Sequence, residues 1–136
     1  MKFRLEEGAF TPTRAHSTDA GIDLYALESV SIPANGYKTV RTGVHVELSP
    51  GHCGLLVSRS GLNSKFGITS TGLIDEGYTG EILVTLNNSD KWPYLVAKGD
   101  KITQIVEIPV RYGPVEIVEE ISGNERGSAG FGSTGR

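Results

Sequence analysis

Turn-forming residues cut this chain at such short intervals that no long helix can be drawn through it. Its 136 residues include eighteen glycines and six prolines, which end regular structure by supplying turns and by removing backbone donors. Between the breaks recur short runs rich in β-branched and aromatic side chains. These are Gly21 to Ala26, Val30 to Pro33, Tyr37 to Thr42, Val44 to Leu48, His52 to Ser58, Glu81 to Asn87, Lys101 to Val110 and Val115 to Val118. In Val44-His-Val-Glu-Leu48 the apolar side chains fall on alternate positions, and Ile82, Val84 and Leu86 repeat the pattern. Period-two alternation puts one face of each strand over a core. A one-domain, all-β protein follows, and a helical bundle is excluded. Ser60 to Phe66 has room for one helical turn after a strand, too little for a helical layer.

The formal charge of -3 and pI near 5.6 provide no broad basic field, so sequence-independent binding to duplex nucleic acid is not expected as the main task. A phosphate ligand would need a locally built site. Cys53 is the only cysteine, and the histidines stand apart at 16, 45 and 52, which excludes a disulfide framework and gives no zinc-ligand spacing. That pattern fits a reducing cytoplasm. The start, Met1-Lys-Phe-Arg-Leu-Glu-Glu, has charges where a signal peptide needs an apolar core, and no apolar run approaches the ~18 residues of a membrane span. We therefore expect a soluble cytoplasmic protein with no need of membrane or nucleic acid.

From Ser122 to Arg136 there are five glycines and one large apolar side chain, too little to build a core. Two readings stand: a disordered tail, or a flap that orders on a ligand. Gly130, Gly132 and Gly135 match GxGxxG literally, but a dinucleotide fingerprint must leave a strand and enter a helix, and no helix follows. What survives is chemical. Glycine-rich backbone can bring several N–H groups to phosphate oxygens, with Arg126 supplying charge and Phe131 a stacking face.

Several residues elsewhere invite both a structural and a functional reading. Asp75, in Gly72-Leu-Ile-Asp-Glu-Gly-Tyr-Thr-Gly80, can be a turn former or a carboxylate held at the mouth of a sheet, and Tyr78 a rim aromatic or a substrate contact. Arg59-Ser-Gly61 suits an anion at a strand-to-turn junction, or else an Arg ion pair with Ser60 capping the short helix. Gln104 shares an expected strand face with Ile102, Val106, Ile108 and Val110, where its amide needs a backbone or ligand partner. Asp23 can cap a turn or join a metal-water shell. Cys53 is read as a small core thiol and His52 as a solvated strand histidine.

Five segments in order, Ala20-Gly-Ile-Asp-Leu24, Arg59-Ser-Gly-Leu62, Gly72 to Gly80, Gly99-Asp-Lys-Ile-Thr-Gln104 and Arg126-Gly-Ser-Ala-Gly-Phe-Gly-Ser-Thr-Gly135, together resemble the trimeric dUTP pyrophosphatases, the dUTPases. The resemblance covers nearly the whole chain. It implies a distorted, jelly-roll-like β-sandwich over residues 1–121 and a flexible glycine-rich C-terminal arm, residues 122–136, closing over the active site. It also implies a homotrimer whose sites draw on all three chains. The reaction implied is magnesium-dependent hydrolysis of dUTP to dUMP and pyrophosphate, which limits uracil in DNA and supplies dUMP for thymidylate, in the cytoplasm or, for a phage gene, the host cytoplasm. Carried over residue by residue, Asp75 would be the base that activates water for attack on the α-phosphorus. Arg59, Ser60, Gly61 and Gln104 would hold the triphosphate, with Asp23 bonded to waters of Mg2+. Gly72, Leu73 and Leu83 would present backbone groups to uracil, and Tyr78 would pack on deoxyribose where a 2'-hydroxyl has no room. Arg126 would meet the γ-phosphate, Phe131 would cover uracil, and Gly132, Ser133 and Thr134 would close on phosphates.

Ser58 stands where the family commonly has proline, Gly77 where an acidic residue is frequent, and Ala129 within the usual paired glycines. None removes a proposed chemical group. A dCTP deaminase would need a glutamate base in another setting and no such flap, and a non-catalytic nucleotide-binding trimer is disfavoured by the intact set of catalytic residue types.

Overall fold

The alternating runs become two facing antiparallel sheets. The computed structural model describes residues 1–123 and 127–128. One sheet has the order β1-β4-β8-β6, the other β2-β10-β5-β7, and β3 pairs with β9 in a small third ladder. Their ranges are β1 Lys2–Leu5, β2 Ile22–Tyr25, β3 Val30–Ile32, β4 Gly36–Glu47, β5 His52–Val57, β6 Ile68–Thr69, β7 Thr71–Ile74, β8 Glu81–Asn88, β9 Tyr94–Val96 and β10 Lys101–Pro109. A single short helix among the described residues, α1, spans Ser60–Phe66. The all-β, jelly-roll-like sandwich is the fold the sequence predicts. No two consecutive strands are hydrogen-bonded neighbours; every pairing is made by a chain segment that returns from elsewhere.

Val40, Val44 and Val46 of β4 and Ile82, Val84 and Leu86 of β8 point inward, against Leu24, Leu56, Ile102 and Ile105 of the other sheet, all buried. At ~25 cal/mol per Å² of apolar surface, each such side chain stabilises the sandwich by about 1.5–3 kcal/mol relative to exposure. The two runs expected at Tyr37 to Thr42 and Val44 to Leu48 are one strand. Its register skips between Arg41 and His45, with Gly43 at φ 65° taking the left-handed conformation that a bulge of this kind requires. Thr42 turns inward there, and its hydroxyl donates to the Ile82 carbonyl at 2.7 Å.

Val115 to Val118 is a correction. Despite its β-forming composition it has no partner strand and no regular structure, and Val115 and Ile117 are 91% and 94% exposed. Propensity without a ladder or a face to cover does not hold a strand. In the other direction, β1, β6, β7 and β9 were not anticipated. They are two to four residues long, and β1 and β9 alternate too briefly to stand out from turns.

Candidate active site

Five predicted residues converge where β2, β5, β10 and the start of α1 meet. Asp23, Arg59, Ser60, Gly61 and Gln104 line one open groove of about 490 Å³, together with Gly21, Val57 and Val106. Backbone register explains the meeting: Gln104 of β10 lies opposite Asp23 of β2 on one side and opposite Val57 of β5 on the other. Two residues past Val57, Arg59 is the N-cap of α1, so Ser60 and Gly61 open the helix at the groove. No side-chain cap bond is present, so the reading of Ser60 as a structural cap does not hold.

The Asp23 carboxylate, although buried, is shared by two cations. Arg59 Nε lies 3.1 Å from Oδ1 and Lys101 Nζ 2.8 Å from Oδ2. Burial of a lone carboxylate would be costly, and pairing on both oxygens offsets that cost. The hydrogen bond that Lys101 donates to Asp23, then the attraction of that carboxylate's charge, raises the pKa of the Lys101 ammonium above its ordinary value. Lys101 was not singled out by the sequence reading, although it lies within Gly99 to Gln104. Arg59 has further donors on its fork beyond the one given to Asp23, and it also lines an adjoining cavity of about 360 Å³ with Tyr25, Leu62, Tyr94 and Lys101.

Gln104 has the backbone partner of its structural reading. Its Nε2 donates to the Ser58 carbonyl at 3.4 Å, and its Oε1 lies against Gly21 so closely that a Cβ at that position would overlap it. The expected shared face does not run the length of β10. A register shift between Lys101 and Thr103 turns Ile102, Thr103 and Ile105 into the core and leaves Gln104 and Val106 on the groove. Ser58 is also more than a substitute for a common proline. Its hydroxyl donates to the Ser70 carbonyl at 2.9 Å and accepts from the Ser70 amide at 2.8 Å, tying the end of β5 to the β6–β7 junction. His52 is a half-buried strand residue whose Nδ1 lies 2.9 Å from the Pro50 carbonyl, and Cys53 is half-buried.

The remaining described candidates lie elsewhere. Asp75 and Tyr78 are on the turn that carries the chain from β7 in one sheet to β8 in the other, closed by a 3.0 Å bond from the Tyr78 amide to the Asp75 carbonyl. Gly72 and Leu73 are on β7 and Leu83 on β8. Tyr78 folds back over Gly80, where any Cβ would overlap the phenol ring, and its hydroxyl donates to the Glu81 carbonyl at 2.9 Å. Leu73, Leu83 and Tyr78 are 63%, 49% and 43% exposed, an unusual display for large apolar groups flanking one turn. None of them lines the groove. Thr71 pairs with Val57 at the groove, whereas Ile74 pairs with Gly54, three strand steps or about 10 Å away, and Asp75 lies one residue beyond it. Arg126, Phe131, Gly132, Ser133 and Thr134 lie outside the described residues, as does Ala129.

Comparison with known proteins bears on both halves. A family model described as dUTPase matches residues 8–135. The chain is 44% identical to the deoxyuridine 5'-triphosphate nucleotidohydrolase of Gloeothece citriformis, over 97% of this chain and 93% of that protein. It is 42% identical to the enzyme of that name from Clostridium kluyveri, over 97% and 94%. Among solved structures, the dUTPase of Staphylococcus bacteriophage 80alpha with dUPNHPP is similar at a TM-score of 0.89, with 32% identity and 99% and 98% of the two chains covered. A mutant dUTPase from phage phi11 of S. aureus, described with a structural Mg(II) ion, gives a TM-score of 0.81 at 31% identity, covering 88% of this chain and 96% of that one.

Proposed function

The chain belongs to the dUTPase family, and from that premise we propose that it hydrolyses dUTP to dUMP and pyrophosphate, with Asp75 as the base. Its carboxylate takes a proton from water as the water oxygen bonds to the α-phosphorus, and the bond from that phosphorus to the α–β bridging oxygen breaks. Pyrophosphate leaves with the bond electrons, and no covalent enzyme intermediate forms. A positioned base of this kind contributes roughly 100- to 10,000-fold.

The observation that carries the reading is the convergence of Arg59, Ser60, Gly61 and Gln104 on one groove. A guanidinium fork, a hydroxyl, backbone at a helix start and an amide make a cradle for a polyphosphate. Among the described residues no three His, Cys, Asp or Glu side chains cluster to hold a metal ion, and Asp23 is a single carboxylate already facing two cations. That donor set fits magnesium arriving on the triphosphate, with Asp23 accepting hydrogen bonds from its waters. Magnesium would neutralise phosphate charge that Arg59 alone does not.

Gly72, Leu73 and Leu83 would frame uracil, and Tyr78 would exclude a 2'-hydroxyl. Arg126, Phe131, Gly132, Ser133 and Thr134 would close over the nucleotide as a flap, residues 122–136, hinged on a core of residues 1–121. A homotrimer completes the proposal. Two features support it: the base stands apart from the phosphate groove within one chain, and the apolar side chains of Val115 and Ile117 lie open. A neighbouring copy would bring the turn of one chain to the groove of another.

Chromatography of dUTP and dCTP incubated with magnesium tests the activity. Formation of dUMP and pyrophosphate from dUTP is expected. Deamination of dCTP, or no turnover of either nucleotide, would refute it.

A further inference from the structure

Both ring nitrogens of His45 meet oxygen acceptors. Nδ1 lies 2.8 Å from the Thr79 carbonyl and Nε2 lies 3.0 Å from Glu6 Oε1, with the side chain only 12% exposed. A carbonyl oxygen can only accept, and so can an ionised carboxylate. Filling both bonds therefore takes a hydrogen on each nitrogen, which is the imidazolium.

Glu6 is kept ionised by its neighbours. The hydrogen bond from His45 first, then the Arg41 charge, hold its carboxyl below the ordinary range, and Arg41 Nη2 donates to Glu6 Oε2 at 2.6 Å. Arg41 Nε also reaches Glu81, at 3.0 Å. Across the two ladders that flank β4, His45 lies opposite Arg4 of β1 and opposite Glu81 of β8, and the Lys2–Glu47 pair, 2.6 Å apart, lines the same shallow cavity. Three cations, Lys2, Arg4 and Arg41, thus face three carboxylates, Glu6, Glu47 and Glu81.

Thr79 is the residue after Tyr78, and the Tyr78 ring is tied in turn to the Glu81 carbonyl. We infer that His45, as its imidazolium, is the positioning residue that pins the Thr79 carbonyl and so holds Tyr78 where it discriminates deoxyribose from ribose. This rests on Tyr78 being the sugar-excluding wall proposed above. A neutral imidazole has one N–H and can serve Thr79 or Glu6 but not both, and the abandoned contact sets lone pair against lone pair. The remaining N–H stays with the Glu6 carboxylate, the stronger acceptor, so loss of the second proton releases Thr79, and sugar selectivity falls as pH rises.

The test is the ratio of kcat/KM for dUTP to that for UTP, measured on the full chain from pH 6 to 8.5. The state of Asp75 and of the uracil ring cancels in the ratio. The wild-type ratio is expected to fall roughly three- to ten-fold, the effect of one lost hydrogen bond, with the midpoint at which the His45 ring titrates by NMR. The Thr79 and Gly80 amide signals should shift with the same midpoint. In His45→Gln the ratio should be independent of pH. In Glu6→Gln it should be independent of pH and stay at the acidic wild-type value, because the new amide can donate to a neutral ring. A flat wild-type ratio, an equal fall in His45→Gln, or a wild-type-like fall in Glu6→Gln would overturn the inference, as would amides that ignore the His45 titration. Should Tyr78→Ala keep full sugar selectivity, the role of Tyr78 would fail instead, and the amide titration would still report on the tie from His45 to Thr79.

Discussion

The groove around Asp23 and the turn around Asp75 carry one carboxylate each and treat it in opposite ways. Asp23 is buried and held on both oxygens by Arg59 and Lys101, where β2 pairs with the central strand β10. Asp75 is exposed on a turn at a sheet edge, flanked by apolar side chains that cover nothing. Two such environments suit two tasks. A carboxylate fixed among cations serves to place charge, whereas one left open to water serves to take a proton once a substrate covers it. Under the proposed trimer, one half is finished within the chain and the other would be completed by a second copy.

The sharpest way to break the comparison is Asp75→Asn, which keeps the shape and removes only the proton acceptor. It should lower kcat by at least ~100-fold with nucleotide affinity within a few-fold; single-turnover rates within ten-fold of wild type would remove Asp75 from the role of base. On the other side, Arg59→Ala should reduce kcat/KM by roughly 10- to 100-fold, the scale of a lost charge-assisted contact, chiefly through KM. Mixing and co-refolding these two impaired variants, assayed at dUTP below KM, should raise the activity above that of either alone if turn and groove come from different copies. No such rise in the mixture, with each variant folded and trimeric by light scattering, would put both halves of a site in one chain.

A smaller effect separates sugar from base. Tyr78→Ala should weaken discrimination against UTP much more than against dTTP, because in the proposed site the ring would bound the ribose position and not the 5-methyl wall. Equal losses would make Tyr78 a general support of the turn.

The smallest effect checks the scaffold away from both halves. The Ser49 amide donates to Glu107 at 2.7 Å, and that bond first among its causes holds the Glu107 carboxyl below its ordinary value near 4.5. A carboxyl depressed by folding stabilises above its unfolded pKa and loses that contribution as pH falls through the folded value. Glu107→Gln should therefore lower Tm by about 2–5 °C at neutral pH and by less as the pH approaches 3. A pH-independent difference would point to packing.

The sequence made one half of this contrast easier to read than the other. Strands with a long apolar alternation, as in Val44 to Leu48 and Ile82 to Leu86, announce their inner face because only one register buries it. Arg59, Ser60 and Gln104 were legible as candidate ligand contacts, but the face of Asp23 was not, since Lys101 approaches it from β10 and Arg59 from the start of α1. The bulge beside Thr103 moved Ile102 off the face of Gln104, and no periodicity in nine residues records such a shift. His45 carried no signal at all. Its significance comes from Glu6 on one side and Thr79 on the other, each more than thirty residues distant.

The strand order has a further consequence for how the molecule comes into being. β10 lies between β2 and β5, yet among the described residues it is the last strand in chain order. The second sheet has no centre until Lys101–Pro109 has emerged, and with no hairpin between consecutive strands nothing local can nucleate it. Folding must wait for nearly the whole chain, at a translation rate of about 5–20 residues per second. For several seconds Ile22–Tyr25 and His52–Val57 are unprotected strand edges, so nascent-chain aggregation and chaperone demand should be set by this interval more than by the stability of the finished sandwich.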